Sequence, residues 1–462
     1  MKRLIAVFTA VSMAVSLIAC TGPGTKQTKA PGTEEALASG KEIGAAPDSA
    51  GAQEEKAEPG STPCTIRFSW WGGDTRHEAT KAAVDAFMAK YPNIKVECEY
   101  GTWDGWTEKV ATQLSAGTAP DLLQGNWNWL YQYSGDGSKF VDLKQYAHIL
   151  SLDSYPQEIL DDCVVGGKLQ GLPLGTNTKC FYWNKTTFEK AGIPIPGTWD
   201  ELYAAGDVFQ TKLGGDYYPM AMFQYERKLL MLYYIQEKYQ KPWAENNVVA
   251  YTPEEVLDGL EFINSLEKKH VMPSVKTLQG DGATTIERNQ NWMSGKYAGI
   301  YEWDAAQAKF DDSLDEGQEF VLGPHITGEG MKDAGFTKIT QTFSIPETSE
   351  HPAEAALLLE FITSVDEGVK LMSTERGMLL NRHANEVLEN EGILKGLSFE
   401  GNQQAMKVAR FAVDPNFENS ALKDDTGIYY EVFENLSAGG DPAKLAQYLI
   451  DSCNEVYAAN PY

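Results

Sequence analysis

The feature that most restricts the fold of this 462-residue chain is a strand–helix–strand pattern in residues 65–100. Apolar residues occupy every second position of residues 65–71, which predicts a strand with one buried face. Residues 77–90 space their apolar side chains for one face of a helix, and residues 94–100 predict the next strand. A strand, a helix and a second strand in this order imply parallel strands joined by a right-handed crossover.

Loops that follow the carboxyl ends of parallel strands are where open α/β sheets bind ligands. The first such loop contains Trp71 and Asp74. The second follows a short apolar strand in residues 122–124 and contains two amides and two indoles: Asn126, Trp127, Asn128 and Trp129. Indole faces stack on the C–H faces of sugar rings and amides bond sugar hydroxyls, so this loop predicts a sugar site. The alternative is a surface loop whose tryptophans are buried in the core.

Residues 171–185 begin as a glycine–proline turn, continue as a strand and end before a helical segment. This stretch predicts a crossover from one lobe to another, with the hinge and the binding cleft close together. We expect Asn177 to contact the ligand. Tyr182 and Trp183 lie farther along the strand and are expected in the core.

The rest of the chain predicts an α/β protein with more than one domain. A length of 462 residues exceeds what one hydrophobic core usually serves. Capping boxes at Thr198 and Thr252 open helices, residues 297–303 predict a strand, and residues 352–365 predict an apolar helix. Helices become more frequent toward the C-terminus.

Residues 1–20 predict a targeting segment. A positive pair precedes an apolar run in residues 4–17, which is too short for a stable membrane span. The segment ends in Leu-Ile-Ala-Cys, which resembles a bacterial lipobox and predicts diacylation of Cys20; the alternative is an ordinary secretory signal. Residues 21–63 contain hardly any large apolar residue and predict a disordered tether. The chain is therefore expected outside the cytoplasm, held at the bacterial cell membrane by lipid on Cys20.

Charge and cysteine content exclude several classes of function. The formal net charge of −26 opposes binding to nucleic-acid phosphates. An odd number of cysteines follows Cys20: Cys64, Cys98, Cys163, Cys180 and Cys453. None lies in a Cys-x-x-Cys motif, so neither a metal site nor a cofactor is predicted. The sequence does not decide whether a disulfide joins Cys64 to Cys98 or Cys163 to Cys180.

Several short motifs, taken in order, resemble family 1 extracellular solute-binding proteins, the carbohydrate-binding lipoproteins of ABC importers. Besides the lipobox, the motifs lie in residues 115–121, 171–173, 182–185, 188–192, 198–202, 292–296 and 344–346. The resemblance extends from about residue 64 to residue 462. It implies an α/β fold of the two-lobed, type II periplasmic-binding-protein class, related to maltose-binding protein, with hinge crossovers between the lobes.

The same resemblance implies lobe boundaries. Lobe 1 would contain residues 64–172 and about 323–372, and lobe 2 residues 173–322 and about 373–462. By position, it also assigns ligand contacts to Trp71, Asp74, Asn126, Trp127, Asn128, Trp129, Asn177, Trp303, Tyr429 with its neighbour Tyr430, and Arg376. The chain departs from maltose-binding protein at Asn177, where that relative has a carboxylate, so specificity for maltodextrins is in doubt.

The expected function is capture of a sugar or oligosaccharide between two lobes and its delivery to the transmembrane subunits of an ABC permease. The protein is expected to be monomeric and not an enzyme. Glu302 and Asp304 flank Trp303 and are expected to bond sugar hydroxyls.

Two alternatives stay open. Glu302 and Asp304 are a carboxylate pair beside an aromatic residue, which also suits a glycan hydrolase. The second alternative is a binding protein for a non-sugar solute, such as a peptide or a polyamine. The aromatic and amide residues of the predicted loops favour neutral, hydroxylated ligands over either alternative.

Overall fold

Two parallel strands, β1 (Cys64–Trp71) and β2 (Ile94–Gly101), form the unit that the sequence predicts at this position. The helix between them, α1 (Asp74–Lys90), begins at Asp74 because a carboxylate in the first turn favours the positive end of the helix dipole. The computed structural model that shows this unit describes residues 58–103 and 105–462. The predictions on Cys20, the signal segment and the tether up to residue 57 lie outside the described residues.

The remaining strands of the described residues are mostly short. In chain order they are β3 (Leu122–Gly125), β4 (Val164–Val165), β5 (Lys168–Leu169), β6 (Leu172–Pro173), β7 (Gly175–Asn184), β8 (Ala244–Glu245), β9 (Val248–Val249), β10 (Gly299–Trp303), β11 (Phe320–Leu322), β12 (Phe336–Ile339), β13 (Thr342–Ser344), β14 (Met378–Leu379) and β15 (Phe411–Ala412).

Helices cover more of the chain than strands do and concentrate toward the C-terminus, as predicted. After α1 they are α2 (Trp106–Ala116), α3 (Trp129–Ser134), α4 (Gln157–Asp161), α5 (Lys185–Ala191), α6 (Trp199–Lys212), α7 (Gln224–Tyr239), α8 (Pro253–Lys268), α9 (Val275–Gly280), α10 (Gln290–Met293), α11 (Ala308–Asp311), α12 (Pro352–Ser364), α13 (Asp366–Met372), α14 (Arg382–Asn390), α15 (Leu397–Met406), α16 (Ser420–Lys423), α17 (Ile428–Ser437) and α18 (Pro442–Ala459). Short 3₁₀ helices occupy Leu143–Tyr146, Leu152–Ser154, Ile286–Arg288 and Asp304–Ala306.

The two predicted capping boxes differ in detail. At the start of α8, Thr252 and Glu255 bond each other's backbone N–H groups, which confirms the capping box there. At the start of α6, Thr198 accepts from the backbone N–H of Glu201. The Glu201 carboxylate instead accepts from Gly197, one residue before the cap, so only half of that capping box forms.

The strands form two main sheets. The first has the order β2-β1-β3-β13-β6, with β1, β2 and β3 parallel and β13 antiparallel to both of its neighbours. The second is built around β7, which pairs antiparallel with β10, β11, β12 and β14, and β15 extends it beyond β12. Almost all of β7 is buried, including Tyr182 and Trp183, which confirms that these two residues belong to the core.

The chain passes between the sheets at adjacent places. Only Leu174 separates β6 in the first sheet from β7 in the second, and its N–H donates to Gln341 O at 2.9 Å, between β12 and β13. Gly175 lies so close to the segment around Met378 that an added Cβ would be 2.4 Å from the Met378 carbonyl oxygen. These crossovers lie where residues 171–185 predict a hinge.

The exact lobe boundaries stay a prediction. Phe336–Ile339 pairs with β7 in the second sheet, although the sequence groups about 323–372 with lobe 1. In the part of the chain that the structure describes, no helix is long and apolar enough to cross a membrane.

All five cysteines of the described residues are free thiols. Cys64 pairs with Ile94 and Cys98 with Phe68, so Cys64 and Cys98 are four residues apart along neighbouring strands. Because a strand rises about 3.3 Å per residue, their separation along the strands is about 13 Å, which exceeds the reach of a disulfide. Cys163 and Cys180 are both buried free thiols and form no disulfide with each other.

Candidate functional site

A cavity of about 580 Å³ opens beside the carboxyl edge of the first sheet. Residues after β2 and β3 line it, as do residues 415–416, 418–420 and 459–462 of the C-terminal part. A second cavity of about 80 Å³ shares four lining residues with it: Asn126, Asn128, Pro415 and Glu418. We call the two cavities together the cleft. Their combined volume lies in the range of about 300–1,000 Å³ that is usual for small-molecule sites.

Asn126 and Asn128 reach the cleft from the loop after β3, as the sequence predicts. Their backbone carbonyls hold the loop in shape by accepting from Trp129 N–H and Gln132 N–H, each at 3.0 Å. Within the described residues their side-chain amides make no hydrogen bond, and both residues are half-buried. Two amides in this position have free donors and acceptors for a ligand.

The tryptophans of that loop are more buried than a stacking role requires. Trp127 is 6% exposed and donates its indole N–H to the carbonyl oxygen of Asp162 at 2.7 Å. Trp129 is 4% exposed and packs against Trp71 with 5.5 Å between ring centroids. Both contribute to the cleft wall, but their main contacts hold the loop in place.

Trp71 is 7% exposed and does not line the cleft, which leaves its predicted role as a stacking surface without support from its position. Trp103, which the sequence analysis missed, is 46% exposed and lines the larger cavity. Trp103 lies just after the end of β2, and Trp71 is the last residue of β1. The strands β1 and β2 are parallel neighbours in the sheet. The rule that ligands bind beyond the carboxyl ends of parallel strands therefore predicts Trp103 as a ligand contact as well as Trp71.

Trp303 ends β10, is half-buried and lines neither of the two cavities. Two ammonium groups lie close to its ring: Lys179 Nζ is 5.0 Å and Lys338 Nζ is 5.6 Å from the ring centroid. Lys338 lines the smaller cavity. The structure thus brings the predicted Trp303 together with two cations that the sequence analysis did not single out, because Lys338 and Lys179 are distant from Trp303 in sequence.

Glu418 lies between two ammonium groups at the cleft. It forms ion pairs with Lys338 and, at 2.7 Å, with Lys423. Burial alone would raise the pKa of Glu418, but the two ammonium groups outweigh it and bring the pKa to about 2. Burial lowers the pKa of Lys338, and Glu418 opposes that shift. Of the charged residues here, Lys338, Glu418 and Asp414 line the smaller cavity, whereas Lys423 pairs with Glu418 from outside the cleft lining.

Glu302 and Asp304 are engaged by the protein itself. Lys179 Nζ lies 2.8 Å from Glu302 Oε1. Asp304 is fully buried and accepts from Thr178 N–H at 3.2 Å and from Asn402 Nδ2 at 2.6 Å. Burial raises the pKa of Asp304 to about 6 although these donors oppose the shift. Neither carboxylate lines the cleft, so their predicted contact with sugar hydroxyls has no support from their positions.

The other predicted contacts also lie outside the cleft. Arg376 is buried and donates to Gln124 Oε1 at 2.8 Å, and Tyr429 is fully buried in the core. Asn177 is half-buried beside the crossover, and its Oδ1 is buried without a hydrogen-bond partner in the described residues. Asp74 is exposed at the start of α1. Their roles in binding stay predictions.

A family model described as bacterial extracellular solute-binding protein matches residues 73–369, more than half of the chain. Among proteins known by sequence, a binding protein of Brucella abortus (strain 2308) is 34% identical over 302 residues, which cover 64% of this chain and 71% of that protein.

Two solved structures are similar over 86% of this chain. A periplasmic oligogalacturonide binding protein from Yersinia enterocolitica is 33% identical, with a TM-score of 0.79 over 100% of its chain. A de novo designed cysteine esterase is 32% identical, with a TM-score of 0.82 over 99% of its chain. The similarity to periplasmic solute-binding structures confirms the predicted two-lobed α/β fold.

Proposed function

We propose that this chain, which belongs to the bacterial extracellular solute-binding protein family, captures an oligosaccharide in its cleft for uptake by an ABC permease. Membership of the family places the chain outside the cytoplasm and implies a ligand and permease partners. The identity of the ligand is the part that we propose.

The observation that carries the proposal is the pair of unengaged amides in a cleft with aromatic walls. Asn126 and Asn128 make no side-chain bond in the described residues, and Trp103 and Trp129 line the same cavity. An amide that lines a pocket without a protein partner supplies hydrogen bonds to a ligand without breaking others. Sugars need this combination because each ring has apolar C–H faces and hydroxyl edges.

We further propose that the oligosaccharide is acidic. The structurally similar Yersinia enterocolitica protein binds oligogalacturonides, whose sugar units carry carboxylates. Lys338 supplies an ammonium group to the smaller cavity, which Glu418 and Asp414 also line, and Lys423 neutralises part of the Glu418 charge by pairing with it. A ligand carboxylate near Lys338 would gain a charge-assisted hydrogen bond in a partly desolvated place.

The chain is proposed to bind without chemical conversion. Hydrolysis of a glycosidic bond needs two carboxyl groups that flank the bond. Here Glu302 is held by Lys179, and Asp304 by Asn402 and by the backbone around Thr178. The esterase among the similar structures is a designed enzyme, so its activity is no argument that this chain is a catalyst.

Ligand capture is proposed to act through closure of the two lobes about the crossovers at Leu174 and Gln341. A ligand that contacts both lobes binds the closed form better and so shifts the equilibrium toward it. The permease would then recognise the closed form. We also propose that a monomer acts in this way while anchored by lipid on Cys20; a Cys20→Ser variant that stays in the membrane fraction and still incorporates labelled palmitate would contradict the anchor.

Titration calorimetry tests the proposed function. We expect digalacturonate and trigalacturonate to bind in micromolar or tighter range, and the methyl esters of the same sugars to bind more weakly. We also expect incubation with these sugars to yield no cleavage products. Binding of only peptides or polyamines would contradict sugar capture, and preference for the neutral methyl esters would contradict the acidic ligand alone.

A further inference from the structure

Trp103 is an exposed indole with a fixed position. Among the described residues, four large apolar side chains are exposed to a comparable degree: Tyr100, Trp103, Val248 and Tyr448. Of these four, Trp103 is the one that lines the cleft. Single exposed apolar residues are common on protein surfaces, but an exposed indole inside a concave cavity that also has polar lining residues is placed to contact a ligand.

The position of Trp103 is set by other tryptophans. Its ring lies nearly parallel to that of Trp129, with an interplanar angle of 16° and 6.0 Å between centroids. The edge of Trp71 packs on it at 5.2 Å. A side chain held in this way loses little conformational freedom on binding, so more of its contact energy appears as affinity.

Trp103 lies at the end of the cleft away from Lys338. Trp103 lines the larger cavity and Lys338 lines the smaller one, and neither residue lines both. Asn126 and Asn128 line both cavities and so lie between the two ends. A ligand that contacts Lys338 and Trp103 at once must therefore span the asparagines.

Hydroxyl groups accompany Trp103 in the larger cavity. Thr107, on the same helix-loop segment, and Ser420, on the C-terminal side, line it and make no side-chain hydrogen bond in the described residues. Tyr131 and Tyr462, in edge-to-face contact at 5.8 Å, complete its aromatic lining. This end of the cleft thus offers an indole face and free hydroxyls, while the ammonium groups of Lys338 and Lys423 pair with Glu418.

From these contacts we infer that Trp103 is the floor of an outer subsite that stacks on a second sugar ring, so that the protein selects ligands by length. The inference rests on the proposed function, because it assumes that the cleft binds a saccharide. The Lys338 ammonium group would bind the carboxylate of one sugar ring. The Trp103 indole would stack on the other ring, whose hydroxyls would bond the free hydroxyls of the cavity. Monosaccharides would fill one end and would gain nothing from Trp103.

The test compares α-1,4-linked galacturonate of one, two and three units by titration calorimetry. The proteins are the wild type, Trp103→Ala, Trp103→Phe and Tyr448→Ala, an exposed aromatic residue outside the cleft. We expect Trp103→Ala to weaken the two-unit and three-unit ligands by roughly 10-fold and to leave the binding of the single unit unchanged. Trp103→Phe should retain most of the affinity, and Tyr448→Ala should match the wild type. Thermal unfolding checks that each variant is folded.

Two outcomes overturn the outer subsite while sugar capture stands. If Trp103→Ala weakens all lengths by the same factor, Trp103 supports the loop and does not select length. If the variant binds all lengths like the wild type, Trp103 does not contact the ligand. If the wild type binds no saccharide of any length, the proposed function itself fails, and this result differs from both of the others.

Discussion

Lys179 and Glu302 form an ion pair of 2.8 Å that is almost completely shielded from water, with the Lys179 side chain at 0% and the Glu302 side chain at 10% exposure. The pair joins β7 to β10, whose last residue, Trp303, is opposite Lys179 in the sheet. Glu302 is one of the carboxylates that the sequence offers as a catalytic or sugar-binding group. Its partner indicates a structural role.

We therefore expect Glu302→Gln to lower the free energy of unfolding by about 3–5 kcal/mol, because it leaves the Lys179 ammonium buried without a counter-charge. Urea denaturation measures the change. A Lys179→Met, Glu302→Met double variant should recover most of the loss, since it removes both charges together. Unchanged stability with lost sugar binding would instead make Glu302 a ligand contact.

Asn126→Ala and Asn128→Ala should each weaken saccharide binding by about 0.5–1.5 kcal/mol and leave stability nearly unchanged, because their amides bond nothing in the described protein. Calorimetry and thermal unfolding separate the two effects. Asn402→Ala is the matched control: Asn402 Nδ2 donates to the buried Asp304 at 2.6 Å, so this variant should lose stability. Equal stability losses in all three variants would contradict the claim that the Asn126 and Asn128 side chains make no hydrogen bonds within the protein.

Lys338→Met should weaken acidic oligosaccharides by about 1.5–3 kcal/mol, the range for hydrogen bonds to charged groups, and affect their neutral methyl esters much less. The reason is that Lys338 supplies an ammonium group to the cleft beside Trp303. Lys444→Met, at an 85% exposed side chain outside the cleft, serves as the control for a general charge effect. An equal loss of affinity for the acidic sugars and for their methyl esters would show that Lys338 does not bind the ligand carboxylate.

Lys228 should make the free energy of unfolding depend on pH between neutral and alkaline values. Its ammonium group lies buried 3.4 Å from the centroid of the Trp243 ring without a hydrogen-bond partner in the described residues, and burial lowers its pKa to about 7. Between pH 7 and the ordinary lysine pKa of about 10.4, the unfolded chain binds the extra proton, so this group's contribution to stability rises with pH across that window. Below pH 7 the lysine is charged in both states, and its unfavourable burial is fully present.

Lys228→Met should consequently be more stable than the wild type at pH 7, and the difference should shrink as the pH approaches about 10. Chemical denaturation at several pH values measures it. Burial raises the pKa of the nearby Asp414 to about 6, and Lys228 opposes that rise, so an Asp414→Asn, Lys228→Met double variant serves as the control for Asp414. A difference that is constant from pH 7 to pH 10 would contradict the depressed pKa of Lys228.

The sequence alone was sufficient for several elements and for the class of fold. The alternation in residues 65–71, the helical spacing after it and the cap at Thr252 act within a few residues, so they predicted β1, α1 and the start of α8 without any long-range information. The motifs in their order predicted the family. The loop after β3 was predicted for the same local reason, and its two asparagines do line the cleft.

Tertiary packing decided which side chains of those loops are free. Trp71 is the last residue of β1 and Trp103 lies just after the parallel strand β2, yet Trp71 is buried among other tryptophans and Trp103 remains 46% exposed. Likewise, Glu302 and Asp304 acquire partners from Lys179 and Asn402, more than ninety residues away in each case. Exposure and charge pairing depend on contacts between distant segments, which no local pattern contains. The sequence therefore predicted which loop lines the cleft, and the fold decided which side chains of the predicted loops are exposed there.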